Sequence, residues 1–145
     1  MERLALHTFM ARQRLGVVSS IGPDGRPQAA LVGIAVTPEL EIVFDTVDAS
    51  RKYANLTARP ACAFVLGWSS EQTVQLEGEA EELRGAELER YRRLYFDAWP
   101  DGRARLGWPG IVYFVVRPRW IRYSDYDRVP ALIEEIRPPS PATDR

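Results

Sequence analysis

Residues 44–53 read FDTVDASRKY, the most informative stretch in this chain of 145 residues. A short apolar strand ends at Thr46, and Ser50 stands where the N-cap of a following helix is expected. Arg51 and Lys52 then fall in the first helical turn, where the positive end of the helix dipole disfavours each cation by about 0.3 to 1 kcal/mol. A bound anion makes the two cations favourable at this helix end. Backbone N–H groups, a hydroxyl, a guanidinium and an ammonium together then form a phosphate cradle. Two solvated charges after a turn are an equally good interpretation of the local pattern alone.

Hydrophobic alternation and turn signals on both sides of this stretch predict short strands and small helices. Strands are predicted at residues 16–21, 28–36, 41–46, 61–68, 72–83 and 111–123, and helices at residues 2–15, 48–59 and 85–99. A Pro-Asp-Gly turn joins the first two strands as a hairpin, and Pro118 predicts an edge position or a bulge in the last strand. Six short strands with tight turns indicate a mainly β protein, a six-stranded antiparallel β-barrel with small helices around it.

The domain organisation is simple. Residues 1–129 are predicted to form one domain, because neither a repeat nor a linker interrupts them. The tail at residues 130–145 contains a brief ALIEEI segment and then PPSP, and this composition predicts partial disorder toward the end.

Composition excludes several classes of function. The chain has 19 Lys and Arg against 20 Asp and Glu, so its net charge of −1 does not favour nucleic acid as a partner. The longest apolar runs are much shorter than the roughly 20 residues of a membrane span, and no signal-peptide pattern opens the chain, so we expect a cytoplasmic protein. One cysteine (Cys62) and one histidine (His7) exclude a disulfide framework, and neither a metal centre nor a Ser-His-Asp triad is expected.

Six short motifs occur in an order that is more specific than any one of them. They are GRP at residues 25–27, VFDT at 43–46, SRK at 50–52, RP at 59–60, Trp68 at the end of an apolar strand, and VQLEG at 74–78. In this order and spacing the chain resembles the pyridoxamine 5′-phosphate oxidase-like, FMN-binding split-barrel family. The resemblance covers roughly residues 8–125, which is most of the chain.

The resemblance implies a homodimer of split barrels with one flavin in each of two grooves at the interface. It implies FMN as the cofactor, with a deazaflavin as the alternative. Carried over by position, the cofactor-binding residues would be Leu31, Val32, Asp45, Thr46, Ser50, Arg51, Lys52 and Thr73.

These positions have different expected roles. Ser50, Arg51 and Lys52 would hold the flavin phosphate, with Thr46 beside the cofactor. Leu31 and Val32 would lie along the ring, with backbone groups facing its polar edge. Asp45 stands where an aromatic residue is common. Thr73 falls within one residue of a position where a glutamine often contacts the ring, and Gln72 or Gln75 are alternatives for that role.

The chain also departs from the family's vitamin-salvage enzymes. Those enzymes carry an Arg and a Lys where this chain has Ala30 and Ala35, and an Arg–His pair where residues 121–128 contain no histidine. Oxidation of pyridoxamine phosphate is therefore not expected. The resemblance instead predicts a flavin-dependent oxidoreductase that transfers hydride to or from another small molecule. A deazaflavin-dependent reductase and a non-catalytic, stress-related flavin-binding protein are the alternatives.

Overall fold

The computed structural model describes residues 1–139, and within them eight strands form one antiparallel sheet. The strands are β1 (Leu15–Ile21), β2 (Pro27–Gly33), β3 (Ala35–Val36), β4 (Ile42–Val47), β5 (Ala61–Leu66), β6 (Gln72–Glu82), β7 (Ile111–Asp125) and β8 (Leu132–Ile136). Their order is β2-β1-β5-β6-β7-β4-β3, with β8 paired to β7. The helices are α1 (Arg3–Gln13), α2 (Arg51–Ala58) and α3 (Gly85–Ala98), and a 3-10 segment (Pro100–Gly107) follows α3.

The sheet curls because its two ends are joined by one residue. Strands β2 and β3 lie at opposite ends of the sheet, yet only Ile34 separates them in the chain. The backbone of Ile34 is held by groups outside the sheet: its N–H donates to the carbonyl of Arg14 at 2.8 Å, and its carbonyl accepts from Trp99 Nε1 at 2.9 Å. Strand β2 also contacts β4 across the split, and its outer edge has no strand partner among the described residues.

The core has two parts on the two faces of the sheet. The larger part fills the barrel, where Phe44 and Phe114 stack with ring centroids 5.6 Å apart and Leu6 of α1 closes one side. The smaller part lies between the sheet and α3, where Tyr91 and Tyr95 are buried. Helix α3 therefore fixes the position of the 3-10 segment that follows it.

The strand count is the main correction to the sequence-based expectation. The predicted strand at residues 28–36 is two strands, because the chain leaves one sheet end and joins the other at Ile34. Residues 132–136 of the predicted tail form β8, so the count is eight instead of six. Residues 100–110 are expected from the sequence to form a loop between the last helix and the last strand, and residues 100–107 of it are 3-10 helical. The predicted disordered end falls partly on residues 140–145, which lie outside the described residues.

The irregularity expected near Pro118 is present. The register between β6 and β7 shifts between Glu77 and Gly78, which pair with Trp120 and Pro118. A Cβ on Gly78 would lie 2.3 Å from the Arg117 carbonyl oxygen, so the close approach of the two strands requires glycine. No helix among residues 1–139 is long and apolar enough to cross a membrane.

Candidate functional site

The start of α2 is tied to the end of β4 by a chain of hydroxyl contacts. Ser50 is extended at φ −76° and ψ 154°, and its Oγ accepts a hydrogen bond from the Tyr53 N–H at 3.1 Å, which confirms the predicted N-cap. Thr46 Oγ1 donates to Ser50 Oγ at 3.0 Å and accepts from Lys52 Nζ at 3.4 Å. These contacts hold the Lys52 ammonium beside Thr46 at the end of β4, next to first-turn backbone N–H groups of α2 that have no intrahelical acceptor.

A cleft of about 230 Å³ opens beside the start of α2, and we call it the α2 cleft. Its lining residues are Val18, Ser20, Gln28, Ala29, Ala30, Arg51 and Lys52. Asn55 of α2 donates to Ser20 Oγ at 3.0 Å and to Gln28 Oε1 at 2.9 Å, and this fixes the polar floor. Across residues 1–139, neither cation of the cleft has a carboxylate oxygen within 4.0 Å.

A second cleft of about 380 Å³ adjoins the first, and we call it the Trp99 cleft. Its lining residues are Leu15, Leu31, Val32, Gly33, Asp45, Lys52, Tyr95, Trp99, Asp101 and Arg105. Lys52 lines both clefts, so they meet at its side chain. One wall of the Trp99 cleft is the unpaired edge of β2, and the opposite wall comes from the end of α3 and the 3-10 segment.

Trp99 packs closely against β2 because residue 33 of that strand is glycine. A Cβ on Gly33 would lie 3.0 Å from two ring atoms of Trp99. The indole Nε1 donates to the Ile34 carbonyl at 2.9 Å, and the guanidinium of Arg14 lies 4.2 Å from the ring centroid. The tryptophan is thereby locked across the junction of β2 and β3.

Asp45 forms an ion-pair cluster in the Trp99 cleft. Its Oδ1 accepts from Tyr95 Oη at 3.1 Å and its Oδ2 accepts from Arg105 Nε at 2.9 Å. Burial, and next the charge of Asp45, raise the pKa of Tyr95, so its phenol remains a hydrogen-bond donor. Arg105 Nη1 lies 3.7 Å from the exposed carboxylate of Asp101. Within the cluster Arg105 is paired with Asp45, and Asp101 adds a second, more distant carboxylate.

Seven of the eight predicted cofactor-binding residues lie together. Leu31, Val32, Asp45, Arg51 and Lys52 line the two clefts, and Thr46 and Ser50 bond to each other beside Lys52. The sequence did not assign Tyr95 or Arg105 to the site, and Trp99 could stack on a planar ligand but was not assigned because core or interface packing is the commoner fate of a tryptophan. The helical spacing of Tyr95 with its neighbours was visible in the sequence but indicates core packing equally well.

Thr73, the eighth predicted residue, lies elsewhere in the chain. It pairs with Ser124 at the start of β6, whereas Thr46 pairs with Val112, so the two threonines lie at opposite ends of the 15-residue strand β7. Gln72 and Gln75 share that distant location, and the Oε1 of Gln72 accepts from Tyr123 Oη at 3.0 Å. Within this chain, the predicted contact of Thr73 with the cofactor therefore lies away from the two clefts.

Cys62 and His7 could be reactive by type, but neither lines the two clefts. Cys62 is half-buried, and burial, followed by the charge of Glu79, raises the pKa of its thiol to about 12, so it is not a thiolate at neutral pH. The Nε2 of His7 lies 3.0 Å from the Val36 carbonyl oxygen and is used in attaching α1 to β3.

Comparison with known proteins gives a family for this chain. The sequence profile described as pyridoxamine 5′-phosphate oxidase matches residues 4–125. A protein from Burkholderia lata named pyridoxine/pyridoxamine 5′-phosphate oxidase is 37% identical over 75 residues, which cover 51% of this chain and 35% of that relative. The match thus spans about a third of the relative's length.

Solved structures share the fold at low sequence identity. A heme binding protein from Mycobacterium smegmatis has a TM-score of 0.78 at 19% identity, covering 94% of this chain and 58% of that one. A pyridoxamine 5′-phosphate oxidase-related, FMN binding protein from Nostoc punctiforme has a TM-score of 0.66 at 12% identity, covering 94% and 93%. An F420 reductase has a TM-score of 0.62 at 22% identity, covering 79% and 94%.

The predicted fold class, a mainly β antiparallel split barrel, is confirmed by this topology and these neighbours. With a profile match over residues 4–125, the chain belongs to the pyridoxamine 5′-phosphate oxidase family.

Proposed function

We propose that this protein is an oxidoreductase that binds FMN in the α2 and Trp99 clefts and transfers hydride at the interface of a homodimer. One observation carries the proposal: within residues 1–139, two cations without carboxylate partners stand at the start of α2, where the α2 cleft continues into the Trp99 cleft. An empty helix N-terminus is a poor place for Arg51 and Lys52, and a bound anion makes it a good one.

The α2 cleft has the donors that a phosphate monoester needs. Arg51 offers a guanidinium fork, Lys52 an ammonium, and the first turn of α2 its backbone N–H groups. A phosphate monoester carries a charge of about −1.5 to −2 at pH 7, which matches the two cations.

The Trp99 cleft suits a flat ring with one polar edge. Leu31, Val32 and Trp99 supply apolar and aromatic walls, and the free edge of β2 supplies backbone N–H and C=O groups. A bound flavin would supply the hydride chemistry, so the chain needs only to bind it, orient it and exclude water.

The charge distribution favours FMN over a deazaflavin. FMN binding protein and F420 reductase are both names of proteins with this fold. The longer acidic tail of a deazaflavin calls for further cations along the groove. The Trp99 cleft has no excess of them, and Arg117, Arg119 and Arg122 are each paired with a glutamate of their own chain. The deazaflavin-dependent reductase therefore remains the alternative.

A second copy of the chain is the proposed partner. Leu31, Val17 and Val65 form a row across β2, β1 and β5 on the outer face of the sheet, and Leu31 is 59% exposed. Such a row is costly in water and is typical of an interface. A second copy could also bring its Thr73 end toward the cleft.

The substrate is proposed to be a small molecule other than pyridoxamine phosphate. Ala30 lines the α2 cleft and Ala35 is buried, so neither position offers a cation for a second phosphate. Heme binding is not extended to this chain, because His7 is engaged on α1 and lines neither cleft.

The test is a calorimetric titration of the apoprotein with FMN and with a deazaflavin cofactor. We expect FMN to bind more tightly. Deazaflavin binding at least tenfold tighter, about 1.4 kcal/mol, would refute the choice of FMN. Steady-state turnover of a reductant by the FMN-loaded protein then separates an enzyme from the third possibility, a non-catalytic, stress-related flavin-binding protein.

A further inference from the structure

The guanidinium of Arg105 is only partly used by its own chain. Its Nε donates to Asp45 at 2.9 Å, but within residues 1–139 its Nη atoms have only long contacts, at 3.4 Å to Tyr95 Oη and 3.7 Å to Asp101. Arginine has five N–H donors, so several of them remain available. The side chain is 21% exposed and lines the Trp99 cleft, so these donors face the space proposed for the ring.

Asp45 places an opposing charge at the same end of the cleft. Its carboxylate is 14% exposed and lines the cleft together with Arg105. Charges that are partly removed from water act strongly on a neighbouring group, and a guanidinium keeps its charge at any working pH. The two charges lie in contact, so the field at this end of the cleft is a balance between them.

We propose that Arg105 and Asp45 set the reduction potential of the flavin by opposite effects on the negative charge of its reduced ring. The proposal rests on the proposed function. Reduction of the ring by two electrons with uptake of one proton adds one negative charge. Arg105 stabilises that charge and raises the potential, whereas Asp45 opposes it and lowers the potential.

A purely structural role of the ion pair predicts a different result. If Arg105 and Asp45 only held the 3-10 segment against β4, removing either partner would break the same contact. Both variants would then loosen the cleft and change flavin binding in the same direction. Opposite changes in the reduction potential of the two variants therefore support the proposal, and changes in the same direction support a purely structural role.

The experiment is a reductive titration of the full-length, FMN-loaded protein with dithionite against a reference dye. Arg105→Gln should lower the affinity for reduced FMN relative to oxidised FMN about tenfold. For a two-electron couple this lowers the reduction potential by ~30 mV. Asp45→Asn should raise the affinity for reduced FMN relative to oxidised FMN by a similar factor. Arg103→Gln is the matched control: it removes an exposed cation from the same 3-10 segment that lines neither cleft, so we expect less than a twofold change.

Arg105→Lys keeps the test decisive if Arg105→Gln does not fold. It retains the positive charge but loses the planar fork, so the proposal expects a potential close to wild type while a structural role expects a shift. Shifts of the same sign in Asp45→Asn and either Arg105 variant, or no shift in an FMN-loaded Asp45→Asn protein, would overturn this proposal alone. A wild-type protein that binds no flavin would overturn the proposed function as well.

Discussion

At the scale of single residues, Arg51 and Lys52 are expected to contribute binding energy and not fold stability. Each charge-assisted contact with a phosphate is worth about 1.5 to 3 kcal/mol, so Arg51→Ala or Lys52→Ala should weaken FMN binding roughly 10-fold to 150-fold. Unfolding of the apoprotein in urea should show equal or slightly higher stability, because a cation leaves the positive end of α2. Arg59→Ala, at the other end of α2, is the control. Unchanged FMN affinity in the double variant would contradict the cradle.

Residues close in sequence were predictable and residues brought together by folding were not. The N-cap Ser50 and the two cations depend on a pattern within ten residues, which the sequence displays. The contact of Trp99 with Gly33 joins residues 66 positions apart, and it depends on how α3 packs on the sheet. Propensity and spacing contain no information on such a contact.

At the scale of elements, one buried hydrogen bond attaches α3 to the turn between β3 and β4. Tyr91 Oη donates to Glu41 Oε1 at 2.8 Å, and the Glu41 carboxylate is 1% exposed. Burial, and next this hydrogen bond, raise the pKa of Tyr91 from about 10 to about 12.

The raised pKa of Tyr91 predicts a loss of stability at alkaline pH. The stabilisation is fully present below pH 10 and is lost as the pH rises from about 10 to about 12, because the folded state holds its proton longer than the unfolded state. Tyr91→Phe should lower stability at neutral pH and flatten this alkaline loss, measured by urea unfolding against pH. Tyr126→Phe, at an exposed tyrosine, should leave the slope unchanged. Equal slopes in wild type and Tyr91→Phe would contradict the assignment.

Regular elements with strong local signals were predicted, and the irregular joins were not. The sequence indicated α2, the long strand β7 and the bulge at Pro118. It did not indicate the break at Ile34, because residues 29–36 contain no polar side chain and the break depends on which sheet end each half joins. Strand β8 was missed because residues 132–136 lie in a Pro-rich tail and pair only with β7.

At the scale of the whole molecule, the exposed row on β2, β1 and β5 predicts a stable homodimer. Its interface should bury more than about 2,000 Å² in total. Val65→Arg places a charge at the β5 end of the row and should give a monomer by light scattering at micromolar concentration, with weaker FMN binding. Leu4→Arg, on the 75% exposed Leu4 of α1, should remain dimeric. A wild-type monomer at micromolar concentration would contradict both the dimer and a site at its interface.

The fold class was predictable because alternation and turn chemistry persist along the whole chain, and the topology agrees with them. The sequence contains no comparable signal for the oligomeric state or for the substrate. An exposed apolar row favours a covering partner but does not identify it, and the chemistry of the proposed two-chain cleft would depend on which side chains the second copy supplies.

The central claim is that the start of α2 binds a flavin phosphate, and one comparison tests it directly. The measurement is a calorimetric titration of the apoprotein with FMN and with riboflavin, two ligands that differ only in the phosphate. We expect FMN to bind at least 100-fold more tightly, about 2.7 kcal/mol, and most of this difference to vanish in the Arg51→Ala/Lys52→Ala variant. Equal affinity of the wild-type protein for FMN and riboflavin, or binding of neither, would contradict the account.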